Sequence, residues 1–174
     1  MKNIRIGKLA TSSILIVMLL ITQNFSLIAQ TNTITQNNWK KIDLERFSFY
    51  VPPELKSLEA KGIDSEVWIY SSDNLEIIID LGIYSRDSSD FKKEPSYQEK
   101  KIKIDGKKGI IFFFYNKHDK KNRPYYAAVH FPQIGKKGVK LSFFAACASP
   151  QEQQIARKIF TSIDFNRYSD KVKK

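Results

Sequence analysis

The sequence predicts an α+β domain: an antiparallel sheet with a C-terminal helix packed on it. Three observations carry this. Short segments alternate apolar and polar residues at the period of two that puts successive side chains on opposite faces of a strand. A continuous apolar run at 110–115 is too short for a core-spanning helix and rich in β formers, as a strand covered on both faces should be. A capped amphipathic segment then closes the chain after Ser149. Of 174 residues, 42% are hydrophobic and 13% aromatic, which excludes a long disordered or low-complexity chain. One domain is expected at this length.

The first strand is Phe47-Ser48-Phe49-Tyr50-Val51, stopped by Pro52-Pro53, which cannot continue a ladder. Residues 54–60 read as a short helical turn and 62–65 as a turn. A strand at 66–70 leads through Ser71-Ser72-Asp73-Asn74, a hairpin turn by composition, into a long strand at 75–84. There Ile77, Ile79, Leu81 and Ile83 share one face, and Ile78, Asp80, Gly82 and Tyr84 the other. Residues 85–95 read as a polar, mobile loop. Strands follow at 97–104, 110–115, 124–132 and 139–148, the first two joined at Asp105-Gly106, a strong turn signal. Ser149, Pro150 and Glu152 form a helix start with a capping box. Ile155, Ala156, Ile159 and Phe160 form the buried stripe, and Ser162 and Ile163 continue it by one turn.

Residues 1–29 read as a signal peptide. Lys2, Arg5 and Lys8 precede an apolar stretch at 9–21, and cleavage is expected after Ala29. That stretch is shorter than the ~20 residues that span a bilayer. No Cys lies near the cleavage point, so a lipoprotein is not expected. The protein is read as exported, periplasmic or secreted, and soluble. Residues 30–38 form a flexible leader, 39–165 the domain, and 166–174 a basic flexible tail.

The formal charge is +11, from 29 Lys+Arg against 18 Asp+Glu. Removing the three basic residues of the signal peptide leaves 26 against 18, or +8. The tail carries Arg167, Lys171, Lys173 and Lys174 against Asp170, so +5 remains on the folded part. This balance is basic but ordinary and does not point to nucleic acid. The single Cys147 excludes a disulfide within the chain and a cysteine-based zinc site. Cys147 reads as a small buried hydrophobe.

Two identical Gly-Lys-Lys-Gly segments, 106–109 and 135–138, each precede an apolar strand. If the last four strands meander, both lie at one end of the sheet. Lys107, Lys108, Lys136 and Lys137 then form a lysine rim, suited to weak contact with an anionic surface or to edge protection. The connector with Lys117, Lys120, Lys121 and Arg123 lies at the other end. His118 and His130 sit on different elements at different heights, so no metal site is expected. His130 reads as a partly buried, hydrogen-bonded residue. Glu66, Glu76 and Asp80 are able to approach across the first hairpin, but nothing selects them as an acid–base pair. No catalytic, cofactor-binding or phosphate-binding motif is present.

The order of these pieces resembles the PsbP-like fold family. The likeness rests on the opening Phe-Ser-Phe-Tyr-Val-Pro, the strands around Trp68 and 77–81, the Ile-Asp-Gly-Lys-Lys-Gly hairpin at 104–109, and the closing stretch 156–165 that ends Ser162-Ile163-Asp164-Phe165. Members include the extrinsic PsbP subunit of photosystem II, a Ran-binding nuclear import factor and exported bacterial proteins of the DcrB type. The resemblance implies an antiparallel sheet flanked by helices on both sides, an α/β/α sandwich. It also implies a non-enzymatic accessory or interaction module, here with a partner in the cell envelope. The family has no catalytic motif to carry over. Mass spectrometry of the exported protein should find Gln30 as the first residue; an intact Met1 would contradict the signal-peptide reading.

Overall fold

The computed structural model describes residues 38–165 except 120, 136 and 137. The expected signal peptide, most of the leader, the basic tail and the second lysine pair therefore lie outside the described residues. Nine strands, a 3-10 turn and one helix follow in order: β1 Lys40–Leu44, β2 Phe47–Val51, β3 Lys56–Leu58, β4 Glu66–Ser71, β5 Leu75–Gly82, the 3-10 turn Ser88–Phe91, β6 Gln98–Ile104, β7 Lys107–Tyr115, β8 Tyr125–Phe131, β9 Lys140–Cys147 and the helix α1 Pro150–Thr161. β3 to β9 form a seven-stranded sheet in the order β3-β4-β5-β9-β8-β7-β6, antiparallel throughout. β1 and β2 form a separate hairpin.

The meander β6 to β9 is the one expected. β9 then pairs on its other side with β5, from Leu75↔Cys147 to Gly82↔Lys140. Alternation sorts its residues by face. Leu141, Phe143, Ala145 and Cys147 enter the inner core, and Ser142, Phe144 and Ala146 face the other way. The inner core lies beneath α1 and the β1–β2 hairpin. Phe143 is its hub: its ring meets Phe49 at 5.1 Å, Phe47 at 5.7 Å and Phe160 of α1 at 6.0 Å, each edge-on. Edge-to-face contacts of this kind add to the hydrophobic gain of burial.

The helix starts as its residues dictate. Ser149 Oγ accepts from the Glu152 amide at 3.2 Å, and Pro150 occupies the first turn. Ala156, Ile159 and Phe160 are buried. The helix ends at Thr161, two residues short of the expected Ile163, where the Ser162 amide donates to the Ile159 carbonyl at 3.1 Å and the Ile163 amide to the Phe160 carbonyl at 3.3 Å. Asp164 pairs with Ser48, and Phe165 packs edge-on against Phe131 at 5.1 Å, so the closing segment tethers β2 to the sheet.

Two local expectations are corrected and one strand is added. The stretch 54–60 is not a helical turn; β3 is a short exposed edge strand paired with β4. The two prolines favour extended backbone before it. β1 was not anticipated, since only Ile42 and Leu44 mark its apolar side and both are half-buried. β5 stops at Gly82, leaving Ile83 exposed. A Cβ on Gly82 would lie 2.7 Å from Ser65 Cβ, so the chain is pressed close here.

The apolar run 110–115 lies within β7, which begins at Lys107 because Asp105 and Gly106, both at positive φ, close a tight turn. β7 is next to the edge of the sheet rather than at its centre, yet it is covered on both faces. Ile111 joins the inner core, while Phe112 and Phe114 join a second cluster on the outer face. Truncating the hub by Phe143→Ala should cost about 3–5 kcal/mol of stability in urea unfolding; a loss under about 1 kcal/mol would contradict its role.

Candidate functional site

The outer face of the sheet carries the candidate site, and strand register builds it in rows. One row reads Ile78, Phe144, Ala128, Phe112 across β5, β9, β8 and β7. The row beside it reads Asp80, Ser142, His130, Ile110. The row on the other side reads Glu76, Ala146, Tyr126, Phe114. The result is an apolar strip through Phe144 and Phe112, with polar residues in the row at each border.

Residues 85–95 do not form the expected loose polar loop. They are built into this face through one aromatic side chain. Asp87 caps the 3-10 turn by accepting from the Ser89 amide at 2.7 Å. The turn then sets Phe91 over the strip, with ring centroids 5.0 Å from Phe144, 5.2 Å from Phe114 and 5.6 Å from Phe112. Beside Phe91 a cleft of about 270 Å³ remains, bordered by Ile78, Asp80, Arg86, His130, Ser142 and Phe144.

A serine beside a histidine in a cleft invites a hydrolase reading, but the hydrogen bonds oppose it. Ser142 Oγ donates to the Arg86 carbonyl at 2.7 Å. It accepts from Ser85 Oγ at 2.7 Å and lies 2.9 Å from His130 Nδ1. With its proton on a main-chain carbonyl, Ser142 offers His130 only a lone pair, so Nδ1 of the neutral ring carries the hydrogen. A general base needs that nitrogen free to take the serine proton. Ser142, Ser85 and His130 instead fasten the segment after β5 to the sheet. Burial pulls the His130 pKa down, against the opposing pull of the Asp87 carboxylate. His130 is 4% exposed.

At the far end of the strip, the connector 116–124 is held by charge. Arg123 Nη1 meets Glu76 Oε2 at 3.2 Å, and Lys121 Nζ meets Glu76 Oε1 at 3.3 Å. Tyr126 Oη donates to Asp119 Oδ2. Burial alone would raise the Asp119 carboxyl, but this bond and those from the Arg123 and Lys121 amides hold it below the usual range. Burial, then the Asp119 contact, push the Tyr126 hydroxyl well upward. Two basic residues of the connector are thus paired within the fold.

Of the expected lysine rim, the described residues include only Lys107 and Lys108. Lys107 and Lys108 lie in β7, not in the turn, and as neighbours in a strand they point to opposite faces. Lys107 sits half-buried opposite Ile104, while exposed Lys108 sits opposite Lys103. Lys136 and Lys137 lie outside the described residues. Gly109, last in the first Gly-Lys-Lys-Gly, has a steric reason: a Cβ there would lie 2.8 Å from the His130 carbonyl oxygen.

The three carboxylates do not meet. Glu66 pairs with Arg46 at 3.1 Å, Glu76 serves the connector, and Asp80 borders the cleft. His118 lies in the connector, toward the opposite end of β8 from His130. Among the described residues no group of His, Cys, Asp or Glu is arranged to hold a metal, and no helix is long and apolar enough to cross a membrane. Cys147 is buried in the inner core, where burial pushes its thiol up to about 12.

No family model and no curated protein matches the sequence. In structure the chain matches cyanobacterial PsbP (CyanoP) from Synechocystis sp. PCC 6803, with a TM-score of 0.53 over 76% of this chain and 95% of that one. The fold is PsbP-like. At 9% identity the likeness extends to the scaffold alone, so the outer-face residues must be judged on their own chemistry. On this PsbP-like sheet the sequence had placed Asp80 on the face opposite Ile77, Ile79 and Leu81, and had marked His130 as hydrogen-bonded. It did not reveal the cleft. Its signals were Phe91, the lone aromatic of a polar stretch, and Ser142, a hydroxyl inside an apolar strand.

The buried His130 sets a pH dependence. An unfolded histidine takes up its proton near pH 6.5, and folded His130 does so at lower pH. Below about pH 6.5 the unfolded state therefore binds more protons, and stability falls as pH falls. Urea unfolding should show lower stability at about pH 5.5 than at about pH 7.5, with the difference reduced in His130→Gln. An unchanged difference in the variant would contradict this assignment.

Proposed function

We propose that the protein is an exported, non-catalytic accessory module of the cell envelope that works by binding, with its ligand seat on the outer face of the sheet. One observation carries this reading. The inner face is sealed by α1 and the β1–β2 hairpin, while the outer face keeps an aromatic cleft whose Ser142–His130 pair is engaged in holding the main chain. Concave, mostly apolar sites with few polar groups are the usual seats of small ligands. The PsbP-like fold supports a binding role, and the basic, then apolar, N-terminal stretch supports export.

A ligand that binds only the folded state raises its melting temperature. The low-molecular-weight fraction of the source cells should therefore raise the Tm of the protein. Ala128→Phe, which fills the cleft from its floor, should remove that rise while leaving the fold intact. No rise from any fraction, or an equal rise in the filled variant, would contradict the reading.

A second reading, contact with an anionic surface, is favoured by the placement of the described lysines. Lys103 and Lys108 are direct cross-strand partners, and Lys101 shares their face. Like charges placed opposite each other destabilise a ladder, and an anion would relieve this. Replacing Lys101, Lys103 and Lys108 by Gln should weaken binding to anionic vesicles at low salt, where such contacts are least screened; unchanged binding would exclude this surface.

A further inference from the structure

Asp80, at the border of the cleft, carries a polar atom that the protein leaves unsatisfied. Asp80 Oδ1 is cut off from solvent and has no hydrogen-bond partner among the described residues. A buried carboxylate oxygen is costly unless a donor or a counter-charge meets it. The neighbouring donors are engaged elsewhere. Ser142 gives its proton to the Arg86 carbonyl, Ser85 Oγ bonds to Ser142 and to Asp80's own main-chain carbonyl, and His130 Nδ1 faces Ser142. Arg86 is exposed at the border of the cleft and makes no ion pair with Asp80. An ionised carboxylate only accepts hydrogen bonds, so the missing group is a donor, and a cationic donor suits it best.

The remaining wall narrows the class. Phe91, Phe112 and Phe144 line the same cleft with Ile78 and Ala128. Aromatic faces attract cations, more strongly where water is excluded, and they also accept a hydrocarbon body. The volume of about 270 Å³ lies just below the range of roughly 300–1,000 Å³ typical of drug-sized ligands, so the occupant is small.

We propose that the cleft binds a small apolar primary amine in its ammonium form, the –NH3+ donating to the Asp80 carboxylate and the hydrocarbon body lying against Phe91, Phe112 and Phe144. The inference rests on reading the outer face as the ligand seat and adds the chemical class of the ligand.

The test is an NMR titration of the 15N-labelled protein with phenethylammonium chloride and, in parallel, with 2-phenylethanol, a neutral probe of the same shape. Saturable shifts at Phe91, Phe112 and Phe144 are expected, with the ammonium bound at least about tenfold more tightly than the alcohol. Asp80→Asn keeps the side chain's shape and removes its charge. It should weaken ammonium binding at least about tenfold and leave alcohol binding unchanged, which also reports that the variant is folded. Equal affinity of wild type for the two probes, or undiminished ammonium binding by Asp80→Asn, would overturn the ammonium assignment while leaving the cleft a ligand seat. Absence of cleft shifts with both probes would overturn the assignment and the ligand-seat reading together.

Discussion

The structure depends on the insertion of β9 between β5 and β8. β5 belongs to a local hairpin with β4, and β6 to β8 form a local meander; β9 is the strand that makes one sheet of them. Its pairing with β5 spans eight registered positions and is distant in sequence, so it is the costliest closure of the fold and the one most other contacts await. Because side chains alternate with period two, this pairing sets both faces together. Phe143 becomes the hub of the inner core only in the register that also places Ser142 between Asp80 and His130, and Phe144 beside Ile78. A slip of one residue would exchange the two sets.

The two faces use this scaffold differently. The inner face joins the rings of Phe47, Phe49, Phe143 and Phe160 in edge-on contacts that exclude solvent. The outer face is covered in part by Phe91, whose segment is fastened by Ser85, Ser142 and His130. Its polar groups are divided between construction and vacancy: Glu76, Asp119 and Tyr126 hold the connector, Ser142 and His130 hold the segment after β5, and Asp80 Oδ1 is left without a partner. That division is the physical basis for reading a binding module in this PsbP-like fold rather than an acid–base centre.

Much of the scaffold was legible because its signals are local. The alternation of β5, the apolar run of β7, the Asp105-Gly106 turn and the Ser149-Pro150 helix start each state their structure within a few residues. The positions that were misread lack such a signal. β1 and β3 are edge strands whose pairing comes from neighbours distant in composition rather than from their own pattern. Lys107 and Lys108 looked like part of a turn, yet the two-residue turn before them draws both into a strand and parts their side chains. The candidate site was the least legible, because its rows join residues from β5, β9, β8 and β7 through register, which no single segment encodes. Alternation correctly set Asp80 on the face opposite Ile77, Ile79 and Leu81. Its neighbours Ser142 and His130 become its neighbours only once β9 is in place.

The register of β9 is therefore the point on which fold and site both stand. Cross-strand NOEs in the 13C,15N-labelled protein measure it directly. The account predicts contacts that link Asp80 with Ser142 and Ser142 with His130 as opposed residues, and the Phe143 ring with those of Phe49 and Phe160. Contacts shifted by one residue, placing Phe143 on the side of Phe91 and Ser142 beneath the helix, would contradict it.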